Sequence, residues 1–232
     1  MIEIFYLDNK EVKKGSVKDL PKLKKKKIWI DLTDPDKEDI DSIKNNFNFH
    51  EVTLEDFLPS HQTIKVEEFS EYIFCSFYSL VKKGNKIRLI PIDFAFGNNF
   101  IISSHEGEMD KFEELKRDSK RLLGLFKQGN EFIFHNLLDD AIEKFFPILQ
   151  EIEDDMERID KRITDDHTKD MLKDILTLKR KIVEIKKITL PQREKILSLT
   201  KRRHKFISST TYPYFRDVYD QALKNMPVIS SG

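Results

Sequence analysis

The chain has 232 residues, 39% apolar and 35% charged, where a globular domain usually carries about 25% charge; it has room for one large domain or a smaller one with an appendage. Lysine plus arginine equal aspartate plus glutamate at 41 each, a balance that argues against a nucleic-acid partner, since such proteins normally carry a basic excess. The single cysteine, Cys75, excludes an internal disulfide or a CxxC metal knuckle, the seven glycines form no GxGxxG, GxxxxGK[ST] or GxSxG motif, and neither His50-Glu51 nor His105-Glu106 continues as HExxH, so the chain does not read as an enzyme.

In chain order, Ile2, Ile4 and Tyr6 alternate with polar positions and predict a strand, and Ile28, Trp29, Ile30 and Leu32 predict a second. Thr33-Asp34-Pro35 supplies a cap and an N-terminal proline for a helix over about 36–47. A second short helix holds Val52, Leu54, Phe57 and Leu58. Three strands follow, Glu71 to Val81, Lys86 to Phe96 and Asn99 to Ser104, with turns at Lys83-Gly84-Asn85 and Gly97-Asn98. An amphipathic helix over about 109–123 closes this half.

From about residue 131 the period changes. Leu138, Ile142, Phe145, Leu149, Ile152, Met156, Ile159 and Ile163 alternate steps of four and three, a heptad seam. After a polar break at Asp165-Asp166-His167-Thr168, a second helix places Leu176, Val183, Leu190 and Leu197 seven apart, with Ile175, Ile182 and Ile196 beside them. Residues 131–170 carry 13 acids against 5 bases, and 173–205 carry 12 bases against 3 acids, so two antiparallel helices side by side would neutralise each other. Pro147 and Pro191 are expected to kink them, and a third helix is expected from Tyr214 to Leu223.

Most charged features have a plain reading. The lysines at 22 and 24–27 read as a solvated run guarding the strand that follows. Lys201-Arg202-Arg203-His204-Lys205 reads as pairing with the acidic helix or as solvated surface. The six histidines have no spacing that sets two on one helical face, which makes a zinc site a poor expectation. Carboxylates are the better ligand candidates: Glu55-Asp56, Asp139-Asp140, Asp154-Asp155, Asp165-Asp166, Asp217 and Asp220. Carboxylate oxygens select hard Mg²⁺ or Ca²⁺ over Zn²⁺.

Five blocks together resemble the cytoplasmic domain of CorA-type magnesium transporters. They are Ile28-Trp29-Ile30-Asp31-Leu32 with Asp34-Pro35; Phe49-His50, Leu54-Glu55-Asp56, His61-Gln62, Lys65-Val66-Glu67 and Tyr72-Ile73-Phe74; Asn136-Leu137-Leu138-Asp139; Leu178-Lys179-Arg180 running on to Pro191-Gln192-Arg193-Glu194; and Pro213-Tyr214-Phe215-Arg216-Asp217-Val218-Tyr219-Asp220. Thr63-Ile64 stands where the family usually has Arg-Pro, and the family's Gly-Met-Asn signature and two membrane helices are absent from the sequence. No run of about 18 apolar residues occurs, and Met1-Ile2-Glu3-Ile4 has no leader character, so the chain reads as a soluble piece on the cytoplasmic side of the cell membrane.

The resemblance implies an α+β fold: an α/β/α domain with a mixed or antiparallel sheet over 1–130, then long antiparallel coiled-coil-like helices and the start of a stalk helix over 131–225. Residues 226–232 are expected to be a foreign or disordered tail. It also implies a homopentamer, weakly associated in this piece, joined to the membrane through missing C-terminal helices. Regulatory divalent-cation sites are implied between subunits, with Asp56 and Asp217 as the primary pair and Glu55 and Asp139 contributing, in part through water. Mg²⁺ is the implied cation, with Co²⁺ or another divalent ion as a substitute. A zinc transporter such as ZntB and a cytosolic coiled-coil scaffold without transport are the alternatives, with a metal-dependent hydrolase behind both.

Overall fold

The computed structural model describes residues 1–58, 63–83, 86–163, 169–201 and 203–224; His61-Gln62, the Gly84-Asn85 turn, Asp165 to Thr168 and the 226–232 tail lie outside them. Among the described residues, strands β1 (Ile2–Asp8), β2 (Glu11–Gly15), β3 (Ile28–Thr33), β4 (Lys65–Glu68), β5 (Ile73–Lys83), β6 (Lys86–Phe96) and β7 (Phe100–His105) form one sheet ordered β2-β1-β3-β7-β6-β5-β4. Only the β3–β7 pair is parallel. β2 and β4 are the two strands missing from the predicted set. Each carries one apolar residue among charges, the composition that protects a sheet edge and also erases the alternation by which a strand is read.

The alternation of the inner strands builds two cores. Ile28, Ile30 and Leu32 of β3 face a layer with Phe74 and Ile102, covered by α1 (Leu20–Leu23), α2 (Lys37–Lys44) and α3 (Glu51–Asp56) through Leu20, Ile40, Ile43 and Leu54. Trp29 faces the other layer with Phe94, Phe96 and Ile101. Over it lie α4 (Asp110–Arg117), α5 (Ser119–Gln128), α6 (Asn130–Glu143), the C-terminal part of α8 (Lys169–Lys201) and α9 (Tyr212–Lys224). The α/β/α sandwich and α+β class expected from the resemblance are what is observed. A third core joins α7 (Phe146–Ile163) to α8: Ile148, Leu149 and Ile152 meet Leu178, Ile182 and Ile185, with Leu80 of β5 beneath. Arg162–Asp174 at 3.1 Å and Lys181–Asp155 at 3.6 Å set these two helices antiparallel and match acid to base.

Several local expectations are corrected. The cap of α2 is Asp36, whose carboxylate accepts from the Asp39 amide at 2.9 Å, while Asp34 turns left-handed at φ 46° and its side chain accepts from the Gly107 amide. The helix expected over 109–123 is two helices, because the Asp118 side chain accepts from the Arg121 amide at 2.9 Å and starts a new one. The first heptad seam crosses a break at Lys144-Phe145, and Pro147 falls in the first turn of α7, where a proline needs no donor, so it opens a helix instead of kinking one. Pro191 stays inside α8. α9 starts at Tyr212, with Pro213 in its first turn.

The stripe Leu176–Val183 points outward, at 46% and 43% exposure. Two apolar rows lie one residue, or about 100°, apart on this helix, and the α7 core takes the row of Leu178, Ile182 and Ile185. In the basic cluster, Lys201 and Arg203 are exposed, while His204 and Lys205 meet an edge strand: Glu68 of β4 accepts from the Lys205 amide at 3.0 Å and pairs with His204 Nδ1 at 3.0 Å. In the lysine run, Lys26 pairs with Asp8 at 2.5 Å and Lys27 donates to the Phe126 carbonyl, so part of that run is anchored.

Candidate metal centre

Asn130 fixes the start of α6. Buried at 2% exposure, its side-chain amide donates to the carbonyls of Gly97 at 2.9 Å and Phe100 at 3.1 Å. Gly97 is needed in that turn, since a Cβ there would lie 2.6 Å from the Glu71 carbonyl oxygen. One face of α6, with Ile133, Phe134, Leu137, Leu138 and Ala141, is then buried on the sheet, leaving Asp139 half-exposed at its edge. α9 buries Phe215, Val218 and Ala222, positions separated by three and four residues, so Asp217 and Asp220 face out.

The two helices bring Asp139 and Asp217 together. The Gln221 amide donates to Asp139 Oδ1 at 3.2 Å and to Asp217 Oδ2 at 3.5 Å. One turn before Asp139, the His135 ring packs edge-on against Tyr214 and Phe215, with centroids 5.5 and 5.6 Å away. Burial pushes the His135 imidazole below its usual range, against the charges of Asp139 and Asp217. The Gln221 Oε1 atom is buried with no hydrogen-bond partner among the described residues. The two carboxylates are hard oxygen donors of the kind Mg²⁺ takes, and the Gln221 group that faces them is its amide N–H₂.

Glu55 and Asp56 lie at the end of α3, in the layer on the opposite face of the sheet. Glu55 is exposed; Asp56 Oδ2 lies 2.5 Å from Lys65 Nζ, which also reaches Glu67 at 3.5 Å. The four proposed ligands therefore form two pairs on opposite faces of one chain, and among the described residues no group of three or more His, Cys, Asp or Glu side chains is placed to hold a metal. Of the other candidates, Asp155 is engaged with Arg158 and Lys181, and burial pushes the Asp140 carboxyl up. Gln221, His135 and Lys65 are the residues that sequence reading missed. Fourfold spacing, His135 to Asp139 and Asp217 to Gln221, was the available signal for two of them; Lys65 sits on an edge strand that had none.

The family model described as CorA-like Mg²⁺ transporter protein matches residues 24–231. The Cobalt/magnesium transport protein CorA of Thermotoga maritima is 26% identical over 200 residues, which are 84% of this chain and 57% of that protein. The chain thus spans little more than half the length of that relative. Among solved structures, the soluble domain of CorA from Methanocaldococcus jannaschii superposes with a TM-score of 0.77 at 17% identity, over 100% of this chain and 91% of that one. The ZntB cytoplasmic domain from Vibrio parahaemolyticus gives 0.77 at 11% identity, over 99% and 90%. Among the described residues no helix is long and apolar enough to cross a membrane. By its sequence the chain belongs to the CorA-like Mg²⁺ transporter family.

Proposed function

We propose that this chain is the cytoplasmic part of a divalent-cation transporter, not an enzyme, and that it senses Mg²⁺ between neighbouring copies in a homopentamer. Asp56 of one copy and Asp217 of the next are the primary ligands, with Glu55 and Asp139 assisting, and Co²⁺ as a substitute ion. The observation that supports this reading is the division of the acids into two pairs on opposite faces of the sheet, which one chain does not join. Mg²⁺ keeps several of its waters and needs only one or two carboxylates, so a shared site can form and dissolve as copies shift. At a free cation level ten times the dissociation constant, each site stabilises the bound assembly by about 1.4 kcal/mol. Five such sites give about 7 kcal/mol, above the ~5.5 that moves a two-state equilibrium from 1:99 to 99:1. Emptying them leaves carboxylates facing one another, and their repulsion loosens the ring, so intracellular Mg²⁺ closes the pore by negative feedback.

Limited proteolysis with and without Mg²⁺ tests the site. Protection by Mg²⁺ is expected, reduced in Asp56→Ala and in Asp217→Ala; equal protection in both variants would remove these residues from the site. The ZntB likeness supports a second reading, a zinc-transporting relative. Cation uptake by the full-length protein separates the two.

A further inference from the structure

Loops at one end of the sheet line an open basin of about 660 Å³ that none of the preceding functions uses. Its walls are the segment between α2 and α3, the β6–β7 turn and the connector from α8 to α9. In a chain of zero net charge, this basin is lined by Lys24, Lys44 and Lys205 and by one carboxylate, Glu71; Lys44 is already paired with Glu51 at 2.7 Å, so Lys24 and Lys205 are the cations the basin offers. Lys24 makes no ion pair or hydrogen bond among the described residues. The side-chain amides of Asn48, Asn98 and Asn99 likewise make none. Under them lie the half-buried rings of Phe47, Phe49 and Phe100, with centroids 5.0 Å apart for Phe47 and Phe100 and 5.8 Å for Phe47 and Phe49.

We infer that this basin binds a nucleoside polyphosphate. The volume falls in the range of small-molecule sites, roughly 300–1,000 Å³, and far exceeds what one phosphate fills. Lysines bind phosphates as point charges. Aromatic surface holds a planar base while neighbouring amides hydrogen-bond its edge. The three kinds of group found together are those a nucleotide uses, and a simple anion would leave the rings and amides idle.

The basin also touches the connector that carries α9. Lys205 Nζ donates to the Ser70 carbonyl at 2.7 Å, and its own amide is held by Glu68, which also pairs with His204. A phosphate that draws the Lys205 ammonium from Ser70 acts one residue from that latch. Binding is thereby linked to the position of α9 and of Asp217. The inference rests on different residues from the metal reading and stands without it.

Titration calorimetry of the chain with ATP in EDTA is the test, with tripolyphosphate and adenosine as separate titrants. One ATP per chain is expected, with tripolyphosphate and adenosine each at least tenfold weaker. Lys24→Glu, an exposed change that leaves the fold intact by circular dichroism, lowers ATP affinity at least tenfold, and Lys24→Glu with Lys205→Glu lowers it further. Lys37→Glu, on α2 outside the basin, and Asp217→Ala leave it unchanged. No ATP binding, equal binding of tripolyphosphate, or an equal loss in Lys37→Glu would overturn the inference.

Discussion

At Asp31 the chain buries a carboxylate completely, with Lys116 Nζ 2.7 Å from Oδ2, the Ser103 hydroxyl donating to Oδ1 at 2.5 Å and His105 Nε2 3.3 Å from Oδ2. Glu3 and Glu113 also reach Lys116 at 2.7 Å, and Lys14 reaches Glu3 at 3.3 Å. Burial opposes the Asp31 charge, but His105 and Lys116 overcome it and hold the carboxyl down at about 2. Removing one partner of a buried pair strands the other, so Lys116→Met is expected to cost ~3–5 kcal/mol. Asp31→Asn with Lys116→Met should cost less than the sum of the singles, read as a coupling energy in urea melts. His105 Nδ1 faces the Gly107 carbonyl at 2.7 Å while Nε2 faces Asp31, so both nitrogens meet acceptors and the imidazolium is favoured. Burial disfavours its charge, and Asp31 outweighs burial, raising the His105 pKa. Stability from that group is fully present below the unfolded value of about 6.5 and is lost as pH rises through the higher folded value. Thermal midpoints should therefore fall across that alkaline limb, and His105→Phe should flatten it; a midpoint rising with pH there would refute the assignment. The Asp31 contribution runs the other way, lost as pH falls from about 4 toward 2.

At the scale of elements, the α7–α8 pair separates apolar packing from charge. Leu149 is 2% exposed in the seam, and Leu149→Ala is expected to cost ~2–5 kcal/mol. Val183→Ala, in the outward row, should stay within about 0.5 kcal/mol. The matched acids and bases are half-exposed, as in Arg162–Asp174, and each such pair contributes only about 0.2–1 kcal/mol. Raising salt to 1 M should thus lower the melting point far less than Leu149→Ala does; the reverse order would show that charge, not the seam, holds the helices. Pro91 shows the same logic within the sheet. It lies opposite Tyr78, whose amide donates to the Gln192 side chain at 2.5 Å instead of to the ladder, so the proline costs β5 no hydrogen bond.

At the scale of the whole molecule, light scattering after size exclusion should show small species in EDTA and larger ones with Mg²⁺ or Co²⁺, with Asp217→Ala blunting the shift. A metal-independent dimer would favour a scaffold instead. The inner strands, several of the helices and the acid–base helix pair were legible because alternation, heptads and charge blocks are local patterns that survive in one dimension, while the α/β/α plan was implied by the resemblance to a known family. The pairing of Asp139 with Asp217 was not, nor was the separation of Asp56 from both: these depend on which face of the sheet each helix covers. The tertiary structure likewise chose between the two apolar rows of α8, since only contact with Phe145, Leu149 and Ile152 distinguishes rows of equal hydrophobicity. It made edge strands of β2 and β4, whose residues carry no strand pattern of their own and pair because β1 and β5 offer open backbone groups.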